Sequence, residues 1–146
     1  MSAQAQQTLL VAVDGSPTSL AGLDFALPIA RGTGAAIELV YVSPPMLLPP
    51  TVYEQTIKEI EAAEQAHGDA ILAEAAKRVT DVPCTRVRLS GPAAECIADH
   101  AQGPRFTTVV VGSKAHNAVS RVMLGSVADR LCHICPCPVL VVRTPT

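Results

Sequence analysis

A regular alternation between short apolar runs and helix-like segments constrains the fold more than any other feature of this chain. Residues 9–13, 36–42, 107–111 and 139–142 form apolar runs rich in β-branched residues, which are typical of buried strands. Between these runs lie segments whose apolar residues recur at helical spacing. This alternation is typical of β-α-β units, in which the strands are parallel. The sequence therefore predicts an α/β fold.

Recognisable start signals accompany the predicted helices. Ser16 can cap the first helix, with Pro17 at its first position. A segment rich in Ala, Glu, Gln and Lys favours a long second helix, despite Gly68. The predicted helices cover about residues 17–31, 51–79, 91–102 and 126–134.

One further strand is predicted at residues 82–89, where apolar and polar residues alternate as in an edge strand with one face in water. The proline-rich SPPMLLPP stretch after residue 42 can continue neither a strand nor a helix, and we expect it to leave the carboxyl edge of the sheet. The length of 146 residues suits one domain, and 49% apolar residues can bury a substantial core. We therefore expect a single domain over residues 1–146.

Composition argues against several classes of function. The formal net charge is -2 and there is no basic run, so we expect no nucleic-acid partner. Aromatic residues make up only 3%, which argues against a platform for stacked bases. No apolar stretch approaches the roughly 20 residues of a membrane span, and the N-terminus lacks the basic region of a signal peptide. We expect a cytoplasmic protein with no membrane partner.

The stretch VVVGSKAHNAVSRVMLGS, residues 109–126, carries the strongest functional signal. Its apolar run ends in Gly112, and Gly125 and Ser126 precede a predicted helix. Backbone N–H groups at a helix N-terminus, the positive end of the helix dipole and a serine hydroxyl all suit phosphate oxygens. The stretch therefore predicts a nucleotide-binding loop.

Three segments of the chain together resemble the universal stress protein family. These are VAVDGS at the first strand, the VVVG and LGS ends of the loop, and the terminal CPCPVLVVR, and the likeness covers nearly the whole chain. The resemblance implies a doubly wound five-stranded parallel sheet in the order 3-2-1-4-5, with helices on both faces. It also implies a stress-response protein that binds ATP or another adenine nucleotide, with or without Mg. In such a sheet the ligand crevice lies where the strand order reverses, here between strands one and four.

The resemblance also implies which residues contact the nucleotide. Asp14 would face the adenosine, backbone groups of Val42 would contact the adenine edge, and the start of the fourth helix would hold the phosphates. None of these residues is assigned a catalytic role, so we expect a binding or signalling module with at most slow incidental ATP hydrolysis. The implied binding residues matching the family pattern are Ala12, Val13, Asp14, Gly15, Val42, Gly112, Gly125, Ser126 and Val127.

The chain departs from the family's nucleotide motif, G-x2-G-x9-G-[ST], at one position. Ala115 replaces the second glycine, and its Cβ disfavours positive φ and takes up space near the phosphates. His116 and Asn117 follow directly and can offer hydrogen bonds to phosphate, so Ala115 and His116 complete the set of candidate site residues. The alternative hypothesis is a nucleotide-free dimeric interaction module of the same family.

The last predicted strand, Val139–Val142, is expected at a sheet edge, where unpaired backbone groups favour pairing with another chain. The family resemblance implies a homodimer formed through this strand.

Five cysteines, an odd number without a secretory signal, favour free thiols. Cys132 and Cys135 have C-x2-C spacing, and Cys137 adds a third thiol. A structural zinc site typically needs four ligands, and neither Cys84 nor Cys96 belongs to a recognisable partner motif. We therefore interpret these thiols as packing residues and expect no metal, with a thiol or metal protein as a third hypothesis.

Overall fold

The computed structural model describes residues 6–113 and 124–144, and it confirms the predicted doubly wound α/β fold. Five parallel strands form one sheet in the order β3-β2-β1-β4-β5. The elements in chain order are β1 (Thr8–Ala12), α1 (Pro17–Thr33), β2 (Ala36–Ser43), α2 (Glu54–Ala76), β3 (Cys84–Ser90), α3 (Ala93–His100), β4 (Phe106–Gly112), α4 (Ser126–Ile134) and β5 (Val139–Val142).

The two faces of the sheet carry separate apolar clusters. On one face Leu23 of α1 and Leu72 of α2 pack with Leu39 of β2. On the other face Ile97 of α3 and Leu131 of α4 belong to the second cluster. A fully buried leucine contributes about 1.5–3 kcal/mol through its burial. The predicted placement of helices on both faces is thus confirmed.

Local signals explain most of the element boundaries. The Ser16 side chain accepts a hydrogen bond from the backbone N–H of Ser19 and caps α1, and Gly34 ends that helix at a φ of 74°. α2 begins at Glu54, three residues later than predicted, because a turn closed by Val52 N–H and the Pro49 carbonyl follows the prolines. The helix runs for 23 residues. Within the part of the chain described, no helix is both long and apolar enough to cross a membrane.

Gly68 lies where α2 approaches the sheet most closely. A Cβ at this position would lie 2.6 Å from Cδ1 of Tyr41 and 3.0 Å from Cδ of Arg88. The Tyr41 hydroxyl donates a 2.6 Å hydrogen bond to Oε1 of Glu64, one turn earlier in α2. Burial, reinforced by this bond to Glu64, raises the pKa of Tyr41 to about 12, so the hydroxyl keeps its proton. The close packing of α2 on the sheet therefore explains the glycine at position 68 of this helix.

We predict that Gly68→Ala destabilises the protein. Alanine favours a helix by about 1 kcal/mol over glycine. Overpacking against the buried Tyr41 ring costs typically 1–3 kcal/mol, so we expect a net loss of about 1 kcal/mol in the free energy of unfolding, measured by urea denaturation. Gly32→Ala in α1 is the matched control, because its Cβ meets nothing within 4 Å, and it should be stabilising. A Gly68→Ala protein as stable as Gly32→Ala would contradict this account.

A buried carboxylate lies at the amino end of the sheet. Glu38 of β2 is 7% exposed, and its Oε2 lies 2.6 Å from Nε2 of His100 at the end of α3. Arg105 donates to Oε1 at 3.4 Å, and the Thr85 hydroxyl donates to Oε1 at 3.1 Å. Burial alone would raise the pKa of Glu38, but the bond to His100, the charge of Arg105 and the bond from Thr85 outweigh it and lower the pKa overall.

We predict that Glu38→Gln costs on the order of 2 kcal/mol at neutral pH, because hydrogen bonds to a charged group are lost. A lowered pKa means that the carboxylate's contribution is complete above its ordinary pKa of 4.5 and is lost as the pH falls through the lowered value. The stability difference from the wild type should therefore shrink in acid, as followed by urea denaturation across pH. Glu61→Gln on the exposed face of α2 is the control. A difference independent of pH would argue against a charged Glu38.

Candidate functional site

A cavity of about 220 Å³ opens at the carboxyl edge of the sheet. Its walls come from the ends of β1, β2 and β4 and from the first turns of α1, α3 and α4. β1 pairs with β2 on one side and with β4 on the other, so the cavity lies where the strand order reverses. This is where open α/β sheets bind ligands.

The structure brings most of the predicted site residues together around this cavity. Gly15 is not among the lining residues; its φ of 84° serves the turn between β1 and α1. Ala115 and His116 lie outside the residues that the structure describes. The predicted residues that line the cavity are Ala12, Val13, Asp14, Val42, Gly112, Gly125, Ser126 and Val127.

The turn after β1 is fixed by hydrogen bonds among its own polar groups. Oδ1 of Asp14 accepts from the backbone N–H of Ser16 at 2.9 Å. The Ser19 hydroxyl donates to the Ser16 carbonyl at 3.0 Å and accepts from the Asp14 N–H at 3.3 Å. All three side chains line the cavity. The N-terminus of α1 is thus capped by the protein's own serine.

The N-terminus of α4 differs, because its cap residue has no side chain. Gly125 occupies the N-cap with φ −60° and ψ 157°, so no cap side chain accepts from the first turn. The first N–H groups of a helix have no partner within the helix. In α4 these belong to Ser126, Val127 and Ala128, which all line the cavity. Together with the positive end of the helix dipole, N–H groups of this kind favour an anion.

Gly112 has a packing role in addition to its place in the cavity wall. A Cβ on Gly112 would lie 2.8 Å from the carbonyl carbon and oxygen of Thr18. The end of β4 therefore touches the first turn of α1, and a side chain would separate the two elements. A glycine at this position is explained by the close approach of backbone to backbone.

Residues that the sequence analysis missed supply much of the apolar wall. Val40, Ala93, Ile97 and Val111 line the cavity beside the predicted Val42. Ala93 begins α3, directly after the predicted helix start at Gly91-Pro92. α3 and α4 lie on the same face of the sheet. The predicted start of α3 could therefore have indicated that the first turn of α3 lies at the cavity, near the start of α4.

The cysteines are arranged differently from what the C-x2-C spacing indicates. Sγ of Cys135 lies 3.7 Å from Sγ of Cys137, whereas Cys132 is exposed on α4. All five cysteines are free thiols, as predicted. Among residues 6–113 and 124–144, no group of three or more His, Cys, Asp or Glu side chains is arranged to hold a metal ion.

A doubly wound parallel sheet with a cavity at its reversal point is the arrangement in which open α/β domains bind ligands. The chain belongs to the Universal stress protein family, whose sequence pattern matches residues 6–143. The family expected from the sequence is thus confirmed.

Individual relatives agree with this assignment over nearly the whole chain. The chain is 30% identical to Universal stress protein YxiE of Bacillus subtilis over 144 residues, which cover 92% of this chain and 97% of that protein. Universal stress protein UspA from Lactobacillus plantarum superposes with a TM-score of 0.81 at 25% identity, covering 97% of this chain and all of that one. A universal stress protein in complex with cAMP superposes with a TM-score of 0.71 at 26% identity, covering 97% and 100%.

Proposed function

We propose that this protein binds an adenine nucleotide, ATP or a related one, in the cavity at the carboxyl edge of the sheet. The observation that carries the proposal is the meeting of an apolar wall with the uncapped N-terminus of α4 in one cavity. The ring faces of a purine base are flat and apolar, whereas phosphates are anionic, so the two surfaces match the two ends of a nucleotide. The family relative at 26% identity with cAMP in its crystal structure supports the same ligand class.

The proposed orientation follows from the position of the donors. The phosphates lie at the first turn of α4, where the N–H groups of Ser126 and Val127 and the Ser126 hydroxyl donate to them. The base lies against the apolar wall near Val40 and Val42, and Asp14 faces the sugar. A Mg ion, where present, would accompany the phosphates.

We infer a binding or signalling role in the stress response, in preference to an enzymatic one. A nucleophilic hydroxyl needs a base within hydrogen-bond reach. Oδ1 of Asp14 accepts from the backbone N–H of Ser16, and the Ser19 hydroxyl donates to a backbone carbonyl. These polar groups are engaged in holding the turn, which leaves binding as the chemistry that they support.

We predict that isothermal titration calorimetry detects binding of ATP and AMP by the wild type, and that Gly125→Asp weakens it at least tenfold. Asp is a good N-cap residue, so α4 should remain folded, but its carboxylate repels the phosphates. Gly125→Asn is the matched control, because it has the same shape and capping ability without the charge. Adenosine, which has no phosphate, should bind the Asp and Asn variants equally.

Each outcome of this titration bears on the proposal. Absence of heat with ATP, AMP and adenosine for the wild type would contradict it and favour the nucleotide-free alternative. ATP binding that is unchanged in Gly125→Asp would place the phosphates elsewhere.

We further propose that the protein forms a homodimer through β5. This strand ends the strand order of the sheet, and Val139, Leu140 and Val141 are only partly buried. Beside it lies an apolar cavity of about 300 Å³ lined by residues such as Ile29 and Pro138. An edge strand next to exposed apolar surface favours pairing with a second copy, and two-fold symmetry makes that contact self-complementary.

We predict that light scattering coupled to size-exclusion chromatography gives a dimer mass at micromolar concentration. Leu140→Lys should shift the protein to monomer, because an edge lysine opposes strand pairing. Leu47→Lys serves as control, since Leu47 is 95% exposed in the loop after β2. A wild-type monomer, or a dimer unaffected by Leu140→Lys, would contradict pairing through β5.

A further inference from the structure

The connection between α4 and β5 holds two cysteine sulfurs in contact. Sγ of Cys135 and Sγ of Cys137 are 3.7 Å apart, separated in sequence only by Pro136. Both ends of this connection are fixed by backbone hydrogen bonds. The Cys135 N–H donates to the Leu131 carbonyl, and the Val109 N–H donates to the Pro138 carbonyl, each at 2.9 Å. The contact is therefore held by the surrounding fold.

The other cysteines do not share this arrangement. Cys84 and Cys96 are each 3.4–3.8 Å from a backbone carbonyl oxygen, those of Thr85 and Ser90. Cys132 is exposed and lies on α4, which ends at Ile134 before the contact begins. The two sulfurs are already in van der Waals contact, and a disulfide bond would shorten their separation to roughly 2.0 Å.

We propose that Cys135 and Cys137 form a reversible dithiol–disulfide site that exchanges with low-molecular-weight disulfides. The site is separate from the nucleotide cavity, since neither cysteine lines it. Its partners are small disulfides such as the oxidised form of glutathione, which act as the oxidant. Its existence does not depend on nucleotide binding.

The proposed exchange takes place in two steps. The thiolate of Cys135 attacks one sulfur of the small disulfide, which breaks the S–S bond, forms a mixed disulfide and releases one small thiolate. The thiolate of Cys137 then attacks Sγ of Cys135 and releases the second small thiolate. The cysteine pair loses two electrons and two protons, and the small disulfide gains them to become two thiols.

The order of attack follows from the environment of the two sulfurs. Burial raises the pKa of Cys137 to about 11, and its hydrogen bond to Cys135 contributes to the increase. The raised pKa favours the protonated form of Cys137, so we assign Cys135 as the first nucleophile of the proposed exchange. Because the second step needs the Cys137 thiolate, disulfide formation should accelerate as the pH rises from neutral towards 9.

The test uses the full chain incubated with oxidised glutathione, followed by alkylation of the remaining thiols and mass spectrometry. Trypsin cleaves after Arg130 and Arg143 and yields one peptide that contains Cys132, Cys135 and Cys137. We expect this peptide to carry one alkylated cysteine and to have lost two hydrogen atoms. Dithiothreitol should restore three alkylated cysteines.

Single serine variants assign the bond. Cys132→Ser should retain the internal disulfide in full, Cys137→Ser should stop at a mixed disulfide of Cys135 with glutathione, and Cys135→Ser should lose the internal disulfide. Circular dichroism of each variant confirms that it is folded. Loss of the disulfide in Cys132→Ser, or a wild type that forms only mixed or intermolecular disulfides, would overturn the proposal.

Discussion

The pairing of β1 with both β2 and β4 is the constraint on which the rest of the structure depends. β1 lies in the middle of the sheet, and the chain builds outward from it first through β2 and β3 and then through β4 and β5. The connections therefore leave the carboxyl edge in opposite directions and open a gap there. Three helices, α1, α3 and α4, begin at the rim of that gap, so their first turns become its walls.

α1 differs from α3 and α4 in its cap residue, because Pro92 and Gly125 make no side-chain cap hydrogen bond. Ser16 supplies an oxygen to the first turn of α1, so the donors of that turn are partly satisfied inside the protein. Gly125 has no side chain that could accept from the first turn of α4, and the residues of that turn line the cavity. At the opposite edge of the sheet the buried carboxylate of Glu38 accepts hydrogen bonds from Arg105 and Thr85. One edge brings helix N-termini to the cavity, whereas the buried charge at the other edge is already paired within the protein.

The features of this structure that could be predicted from the sequence are those that depend on residues close together in the chain. Strands and helices followed from periodicity, and the cap at Ser16 followed from turn chemistry, because its partner Ser19 lies three residues away. The strand order came from family resemblance, since periodicity alone does not specify which strands pair. The pairing of Glu38 with His100, 62 residues away, and the packing of Gly68 on Tyr41 involve contacts between distant segments. A pattern in one segment contains no information about such partners.

The cysteines and the glycine motif both show that spacing in the sequence does not by itself identify the contacts that a residue makes in the structure. C-x2-C spacing pairs Cys132 with Cys135 only if the helix continues, but α4 ends at Ile134 and the chain then brings Cys135 against Cys137. The glycine motif, which Ala115 interrupts, is a second example. Glycine at 112 is explained by the backbone of Thr18, whereas glycine at 125 leaves the first turn of α4 without a side-chain cap. The proposed phosphate donors belong to Ser126 and Val127 in the first turn of α4, which follows Gly125. The proposed phosphate contacts therefore require no donor from Ala115.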